Sequence, residues 1–197
     1  MADRRFVLRT LVAAAAAGTL PARAQAEDLD RLFALFAGQG ERRKTFIERR
    51  YSVLFRNPPE QRGTLFFKPP ALLERDVVSP RREKVRIDAD SVTLRTEGDD
   101  GKTIERKAAL ATIPQLANLV LTIRATLAGD LAALRRLYFV TLKDPLPRWL
   151  IEMTPIEEPA AGGVTTITMA GDRADVQRIQ FTETTGDRTE LLLSPAS

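Results

Sequence analysis

The chain has 197 residues, 44% of them hydrophobic, with 30 basic and 26 acidic side chains and neither histidine nor cysteine. The missing residue types exclude Ser-His-Asp and Cys-His nucleophile systems, disulfide bonds, and metal sites ligated by histidine or cysteine. The length is sufficient for one domain with its own hydrophobic core.

The first part of the chain has the three regions of a secretory signal peptide. A basic start, MADRRFVLR, precedes the apolar run TLVAAAAAGTL and a group of small residues that ends at Ala26. We expect residues 1–26 to be a signal peptide cleaved after Ala26, and residues 27–197 to form an exported domain in the periplasm. Arg4 and Arg5 also resemble a twin-arginine signal, so the sequence leaves both export routes open.

Most of the net charge lies in this leader. Residues 1–26 hold four arginines against one aspartate, which leaves 26 basic and 25 acidic side chains in residues 27–197. A nearly neutral domain lacks the basic surface that nucleic acids require. The sequence therefore predicts no nucleic-acid partner.

An amphipathic helix opens the expected domain in the stretch EDLDRLFALFAG. Asp28 is suited to cap its start and Gly38 to end it. The apolar positions recur at helical spacing, at Leu29, Leu32, Phe33 and Phe36. This spacing predicts one buried face.

Strand patterns follow the helix. The first covers residues 43–55 and places Tyr51, Val53 and Phe55 on one face. A turn is expected over 57–63. Further strands are predicted at 64–68, 72–78, 83–88, 91–96 and 102–107. Short strands in close succession favour antiparallel pairing.

The strand at 64–68 breaks the usual alternation of apolar and polar residues. Leu65, Phe66 and Phe67 are consecutive, so apolar side chains lie on both faces. We expect both faces of the sheet to be covered here.

A helical insertion then interrupts the strands. Pro114 suits the start of the first helix and Gly129 its end, and Asp130 can cap a second helix, LAALRRL. An apolar stripe runs along the first helix, at Leu116, Leu119, Val120, Ile123 and Leu127. Strand patterns return at 138–143, 148–154, 164–169, 176–181 and 189–193. This order predicts a single α+β domain built on one large antiparallel sheet.

Acidic pairs are the main candidates for catalysis. They occur at Asp88 with Asp90, Asp99 with Asp100, and Glu157 with Glu158. Two carboxylates could serve a hydrolase, and Asp99 with Asp100 could bind calcium. Each pair, however, lies in a predicted turn or strand end, where acidic residues are ordinary. We therefore expect a protein that is not an enzyme and that uses no cofactor or metal.

Several weak motifs, in their order, resemble the periplasmic lipoprotein carrier family LolA and its relatives. They are the long strand FIERRYSVLF, the pattern G-x-L-x-x-K-P-P in GTLFFKPP, the segment GDLAALRRLYFVTLKDPLPRWLIEMTP, and the closing ITMAGDRADVQRIQFTETTGDRTELLLS. The resemblance covers nearly all of residues 27–195. It implies an unclosed β-barrel, a strongly curved antiparallel sheet with a helical plug or lid on its concave face.

The resemblance also implies a function. Family members shield the acyl chains of a lipoprotein in an apolar cavity, receive the cargo from an inner-membrane donor and pass it to an outer-membrane acceptor. We accordingly expect a monomeric carrier of acylated lipoprotein or other lipid. The alternative is a non-enzymatic envelope adaptor that uses the same fold to bind a partner protein.

The expected lipid-binding residues come from the strands and the inserted helix. They are Tyr51, Val53, Phe55, Leu65, Phe67, Leu116, Leu119, Ile123, Trp149 and Ile151. In the family, an arginine before the proline of the K-P-P motif bonds to the lid helices. Pro69 occupies that position here and cannot make the contact, so either Lys68 makes the lid contact in its place or the lid is held differently.

Overall fold

The computed structural model describes residues 22–52, 57–98 and 101–196. Its strands are β1 Arg42–Tyr51, β2 Glu60–Lys68, β3 Leu72–Ser79, β4 Glu83–Asp88, β5 Ser91–Glu97, β6 Thr103–Ala109, β7 Tyr138–Asp144, β8 Arg148–Pro155, β9 Val164–Asp172, β10 Asp175–Glu183 and β11 Arg188–Pro195. The helices are α1 Ala22–Ala37, α2 Pro114–Ala128 and the short α3 Leu131–Leu134.

All eleven of these strands form one antiparallel sheet. Its order is β6-β5-β4-β3-β2-β1-β11-β10-β9-β8-β7, so two meanders are joined where β1 pairs with β11. β6 and β7 are the two edges, and the curved sheet is therefore not closed. The predicted fold class, a curved antiparallel sheet with helices on one face, is confirmed.

Strand order explains why helix α2 lies across the sheet. β6 and β7 are consecutive strands but lie at opposite edges, so the segment between them must connect the two edges. The 15 residues of α2 provide about 22 Å of that distance at 1.5 Å per residue. We call the face that carries the helices the concave face.

Helix α1 forms the larger hydrophobic core with one half of the sheet. Its predicted apolar face is buried at Leu29, Leu32, Phe33 and Phe36. Phe36 packs edge-on against Trp149 of β8, with ring centroids 5.4 Å apart. A smaller cluster lies over the other half, where Val120 of α2 packs with Ile87 and Val92.

The boundaries of three predicted elements were wrong. Residues 57–63 are not all turn, because β2 begins at Glu60, where Arg49 of β1 pairs with the Glu60 carboxylate at 2.9 Å. The helix LAALRRL is only the four residues of α3, since the chain must turn at once to enter β7. Helix α1 begins at Ala22, inside the segment expected to be a signal peptide.

Gly129 sets the distance between the two main helices. It ends α2 in the left-handed conformation, with φ of 74°, as the sequence predicts for a helix-terminating glycine. A Cβ at this position would overlap the carbonyl oxygen of Phe33 in α1. Glycine therefore allows both the left-handed turn and the close approach of α1 to α2.

Gly63 has a comparable role within the sheet, and Gly63→Ala is expected to destabilise the fold by about 1–3 kcal/mol. Its added Cβ would overlap the backbone carbonyl of Asp76 in β3 and lie 2.9 Å from the Phe46 ring. The measurement is denaturant unfolding, with Gly40→Ala as the control because a Cβ there meets nothing within 4 Å. Equal stability of the two variants would contradict the packing role.

Candidate functional site

A large cavity lies between α2 and the concave face of the sheet. Its volume is about 1050 Å³, at the upper end of the range for small-molecule sites. The walls come from α2 and from strands on both sides of the β1–β11 junction. The cavity is thus bounded by the helical insertion and by both meanders and is open on one side.

The helix wall is the apolar stripe of α2. The sequence predicted a stripe at helical spacing, and each of its members lines the cavity: Leu116, Leu119, Val120, Ile123 and Leu127. The other side of α2 is held against the core, where the hydroxyl oxygens of Thr122 and Tyr138 are 2.9 Å apart. The expected site residues Leu116, Leu119 and Ile123 are therefore brought together on one wall.

The sheet wall is also apolar. Leu65 and Phe67 of β2, both expected site residues, line the cavity opposite the helix. Other members of this wall are Leu73, Val85, Ile87, Met169, Ile179 and Leu193. Because these residues come from strands far apart in sequence, the sheet's pairing is what makes the wall continuous.

Strand β2 carries apolar side chains on both faces because each face is covered by a different part of the molecule. Leu65 and Phe67 face the cavity. Phe66 alternates with them, so its side chain lies on the other face of the sheet, although the residue also borders the cavity. On that other face the guanidinium of Arg43, its cross-strand neighbour on β1, lies 4.6 Å from the centre of the Phe66 ring. The expectation that both faces are covered holds, but a cation covers the outer one.

The structure places Tyr51 away from the cavity. Phe46 of β1 is buried on the concave face, so Tyr51, five residues later, lies on the outer face. Its ring stacks with the guanidinium of Arg188 at 4.3 Å. Val53 and Phe55, expected to share its face, lie outside the described residues.

Trp149 and Ile151 are also removed from the candidate site. Both are almost completely buried in the core beneath α1, and neither lines the cavity in the described part of the chain. The indole N–H of Trp149 donates to the carbonyl of Arg173 at 2.8 Å. These two residues support the fold where α1 covers β8 and β9.

The expected lid contact of Lys68 is replaced by a different pairing. The Lys68 ammonium lies 2.7 Å from the Glu41 carboxylate, and both side chains are more than half exposed. Arg42, which was not among the expected residues, contacts both helices instead. Its Nη2 donates to the carbonyl of Phe36 in α1 at 2.5 Å and to that of Leu127 in α2 at 2.8 Å.

A second arginine ties α2 to the sheet. Arg124 of α2 donates to the carbonyl of Ala89 at 2.9 Å and to that of Ala71, residues in two strand connections. Burial lowers the pKa of both guanidinium groups, Arg42 and Arg124. Neither residue was predicted, because each is one of many arginines and its role depends on backbone carbonyls distant in sequence.

Charged residues in the cavity wall are mostly paired with one another. Lys44 of β1 pairs with Asp175, the first residue of β10. Arg75 lies 2.9 Å from a Glu48 oxygen and 3.3 Å from a Glu83 oxygen. Such pairing lets charged side chains remain beside an apolar cavity.

The acidic pairs that lie within the described residues belong to no group of metal ligands there. Asp88 pairs with Arg86 at 3.0 Å, while Asp99 and Asp100 lie outside the described ranges. Within those ranges, no three histidine, cysteine, aspartate or glutamate residues are grouped as metal ligands. No helix in the described part of the chain is long and apolar enough to cross a membrane.

Comparison with known proteins identifies the family. The family model of outer membrane lipoprotein carrier protein LolA-like proteins matches residues 21–197. Among curated proteins, none matches the chain significantly.

Three solved structures are similar to the chain at low sequence identity. A LolA superfamily protein from Nitrosomonas europaea is 10% identical with a TM-score of 0.41, and the alignment covers 86% of this chain and 91% of that one. The MucA/MucB complex of Pseudomonas aeruginosa contains a chain 14% identical, with a TM-score of 0.43 and coverage of 88% and 58%. A DUF1329 family protein from Desulfovibrio piger is 8% identical, with a TM-score of 0.36 and coverage of 89% and 92%.

The family match covers all the described strands and helices. The chain therefore belongs to the LolA-like family of outer membrane lipoprotein carrier proteins.

Proposed function

We propose that this protein is a periplasmic carrier that holds the acyl chains of a lipoprotein or other lipid and delivers them toward the outer membrane. The observation that supports this most directly is the cavity of about 1050 Å³ between α2 and the sheet, with its apolar walls. The signal-peptide pattern of residues 1–26 supports the location. The family's description supports the type of cargo.

The cavity offers acyl chains a favourable alternative to water. Burying one methylene is worth about 0.8 kcal/mol, so a chain of about ten methylenes gains roughly 8 kcal/mol before the costs of ordering. The walls that would receive it are apolar on both sides, with Leu119 and Ile123 on the helix and Leu65 and Phe67 on the sheet. This is sufficient for a carrier without an enzymatic step, a cofactor or a metal.

Helix α2 is suited to act as a lid. It is joined to the sheet and to α1 by arginine contacts with backbone carbonyls, at Arg42 and Arg124. Water can replace these partners when the helix moves, so opening need not leave a polar group unsatisfied. The carrier would act as a monomer, with an inner-membrane donor and an outer-membrane acceptor loading and unloading the cavity.

The proposal predicts that the protein carries lipid when isolated from its own host. Native mass spectrometry of the gently purified protein should show bound acylated mass, because apolar walls retain such ligands during purification. After lipid removal, a fluorescent fatty-acyl probe should bind and be displaced by the extracted lipid. Protein that carries no lipid and binds no probe would contradict the carrier function.

An adaptor function has a separate observation in its favour. Phe139 lies on the edge strand β7 and its side chain is 64% exposed. An edge strand can pair with a strand of another protein, and an exposed aromatic side chain can anchor it. Suppose that the wild-type protein binds no acyl probe but retains an envelope protein as a partner, and that Phe139→Ser loses this partner. The adaptor function is then the correct one.

A further inference from the structure

A row of charged side chains runs along the middle of the cavity's sheet wall. Lys44 and Glu48 of β1 line the cavity, and so does Arg75 of β3. Phe46 lies between Lys44 and Glu48 on the same face of β1, but it is buried, and the guanidinium of Arg75 covers its ring at 5.1 Å from the centre. At the middle of the sheet, the cavity therefore meets charged groups, and we call Lys44, Arg75 and Glu48 the charged row.

Apolar wall residues lie on both sides of the charged row. On one side, Leu65 of β2 is the cross-strand neighbour of Lys44. On the other side, Leu191 of β11 is the cross-strand neighbour of Glu48. The first side, the β2–β4 area, includes Leu65, Phe67, Leu73, Val85 and Ile87. The second side, the β9–β11 area, includes Val164, Met169, Ile179, Phe181, Leu191 and Leu193.

An acyl chain that crossed the charged row would cover groups that still reach water. Lys44, Glu48 and Arg75 are each only partly buried. Although they form ion pairs, a hydrocarbon chain laid over them would remove their remaining water and offer no polar partner in return. Strands β2 and β11 flank β1, so they lie about 10 Å apart at the usual strand spacing. Each apolar area can therefore hold a chain of its own.

The size of the cavity leads independently to the same number of chains. An apolar cavity of about 150 Å³ holds one benzene molecule, which is about 25 Å³ per carbon, so a chain of sixteen carbons needs about 400 Å³. Two such chains need about 800 Å³ and three need about 1200 Å³. The cavity's volume of about 1050 Å³ is sufficient for two chains of this length but not for three.

We infer that the cavity binds two acyl chains, one on each side of the charged row, and that the cargo is held by a diacylglyceryl group. The inference rests on the proposed carrier function and specifies its cargo. The β2–β4 area faces the apolar stripe of α2 and so covers a chain on two sides. It binds the first chain more tightly, and the β9–β11 area binds the second. Phospholipids and lipid-modified proteins both carry a diacylglyceryl group, so either can supply this pair of chains.

The test counts single-chain ligands in the wild-type protein. After lipid removal, the protein is saturated with hexadecanoic acid supplied from cyclodextrin, and bound molecules are counted by native mass spectrometry. Two acids should bind to each protein. Saturation at one acid, or at three, overturns the inference and leaves the carrier function standing. Binding of no acid contradicts the carrier function itself.

Phe181→Glu tests whether the two chains occupy separate areas. Phe181 is half-buried and lines the cavity in the β9–β11 area, so the variant should bind one acid, with the affinity of the tighter wild-type site. Thr182→Glu is the matched control, because its side chain alternates to the other face of β10 and does not line the cavity. It should still bind two. A folded Phe181→Glu protein that binds two acids, or none, overturns the inference, and Phe181→Ser replaces it if the glutamate variant fails to fold.

Displacement of the two acids then identifies the source of the diacylglyceryl group. One molecule of a diacyl phospholipid, or of a diacylated cysteinyl peptide, should displace both acids, whereas a single-chain lysophospholipid should displace only one. The diacyl compound that is effective at the lower concentration indicates a phospholipid or a lipoprotein cargo, respectively. If neither compound displaces both acids, the two chains do not belong to one diacylglyceryl group and the inference is wrong.

Discussion

Leu119→Glu is expected to weaken binding of a fluorescent fatty-acyl probe by at least about tenfold, which corresponds to roughly 1.4 kcal/mol or more. Leu119 lies in the middle of the apolar stripe of α2 and lines the cavity. A carboxylate at this position must either lose its water when the acyl chain enters or keep the chain out. Both consequences lower the probe's affinity.

The stability of Leu119→Glu should change much less than its binding. The side chain is only half-buried and lies beside a cavity that can admit water, so the carboxylate can remain hydrated when no ligand is present. The expected change in unfolding free energy is about 1 kcal/mol. Probe titration and thermal unfolding of the same preparation separate the two effects.

Leu121→Glu is the control for this prediction. It makes the same chemical change two residues away on the same helix, at a side chain that is 45% exposed and does not line the cavity. It should bind the probe as wild type does. If both variants bind normally, the ligand does not occupy this cavity. If Leu119→Glu fails to fold, Leu119→Ser gives the milder test, and a folded serine variant with normal binding would contradict the prediction.

Periodicity predicted those parts of the site that one segment determines alone. The stripe of α2 could be recognised because Leu116, Leu119 and Ile123 repeat at helical spacing within a segment bounded by Pro114 and Gly129. The buried face of α1 was found in the same way. Strand positions followed from short apolar runs separated by turn residues, and their antiparallel pairing was predicted as well.

The inner and outer faces of the strands could not be assigned in this way. Alternation shows that Tyr51 and Phe46 lie on opposite faces of β1, but only the packing beneath the helices shows that Phe46 is on the concave side. Trp149 and Ile151 were expected to bind lipid, although their alternation along a strand fits a core position equally well. The route of α1 over β8 and β9 makes them core instead. These assignments depend on which part of the sheet each helix covers. The sequence of a single segment does not contain that information.

The role of Arg42 was the least predictable feature of the site. It stands in a run of basic residues at the start of β1, and its neighbour Arg43 covers Phe66 on the outer face. What distinguishes Arg42 is the meeting of two helix ends, at Phe36 and Leu127, next to its side chain. Leu127 is 85 residues away from Arg42 in sequence, and only the path of α2 across the sheet brings its carbonyl next to Arg42.

Trp149→Ala is expected to reduce the free energy of unfolding by about 3–5 kcal/mol. The indole is 2% exposed, packs edge-on against Phe36 of α1, and donates a hydrogen bond to the Arg173 carbonyl. Gly171 on β9 opposes it, where a Cβ would lie only 2.7 Å from the indole ring. Removal of the ring would therefore leave a hole between α1 and the sheet. For a domain of this size, the melting temperature should fall by roughly 6–20 °C.

Phe139→Ala is the control, because this aromatic side chain is exposed on the edge strand and its removal should change stability by no more than about 0.5 kcal/mol.

The informative second measurement is probe binding by Trp149→Ala at a temperature where the variant is fully folded. Because Trp149 lies in the core and not on the cavity wall, the affinity of Trp149→Ala for an acyl probe should match that of the wild-type protein. A variant that remains stable but loses the probe would return Trp149 to the binding site, and would mean that acyl chains reach beneath α1 as well as beneath α2.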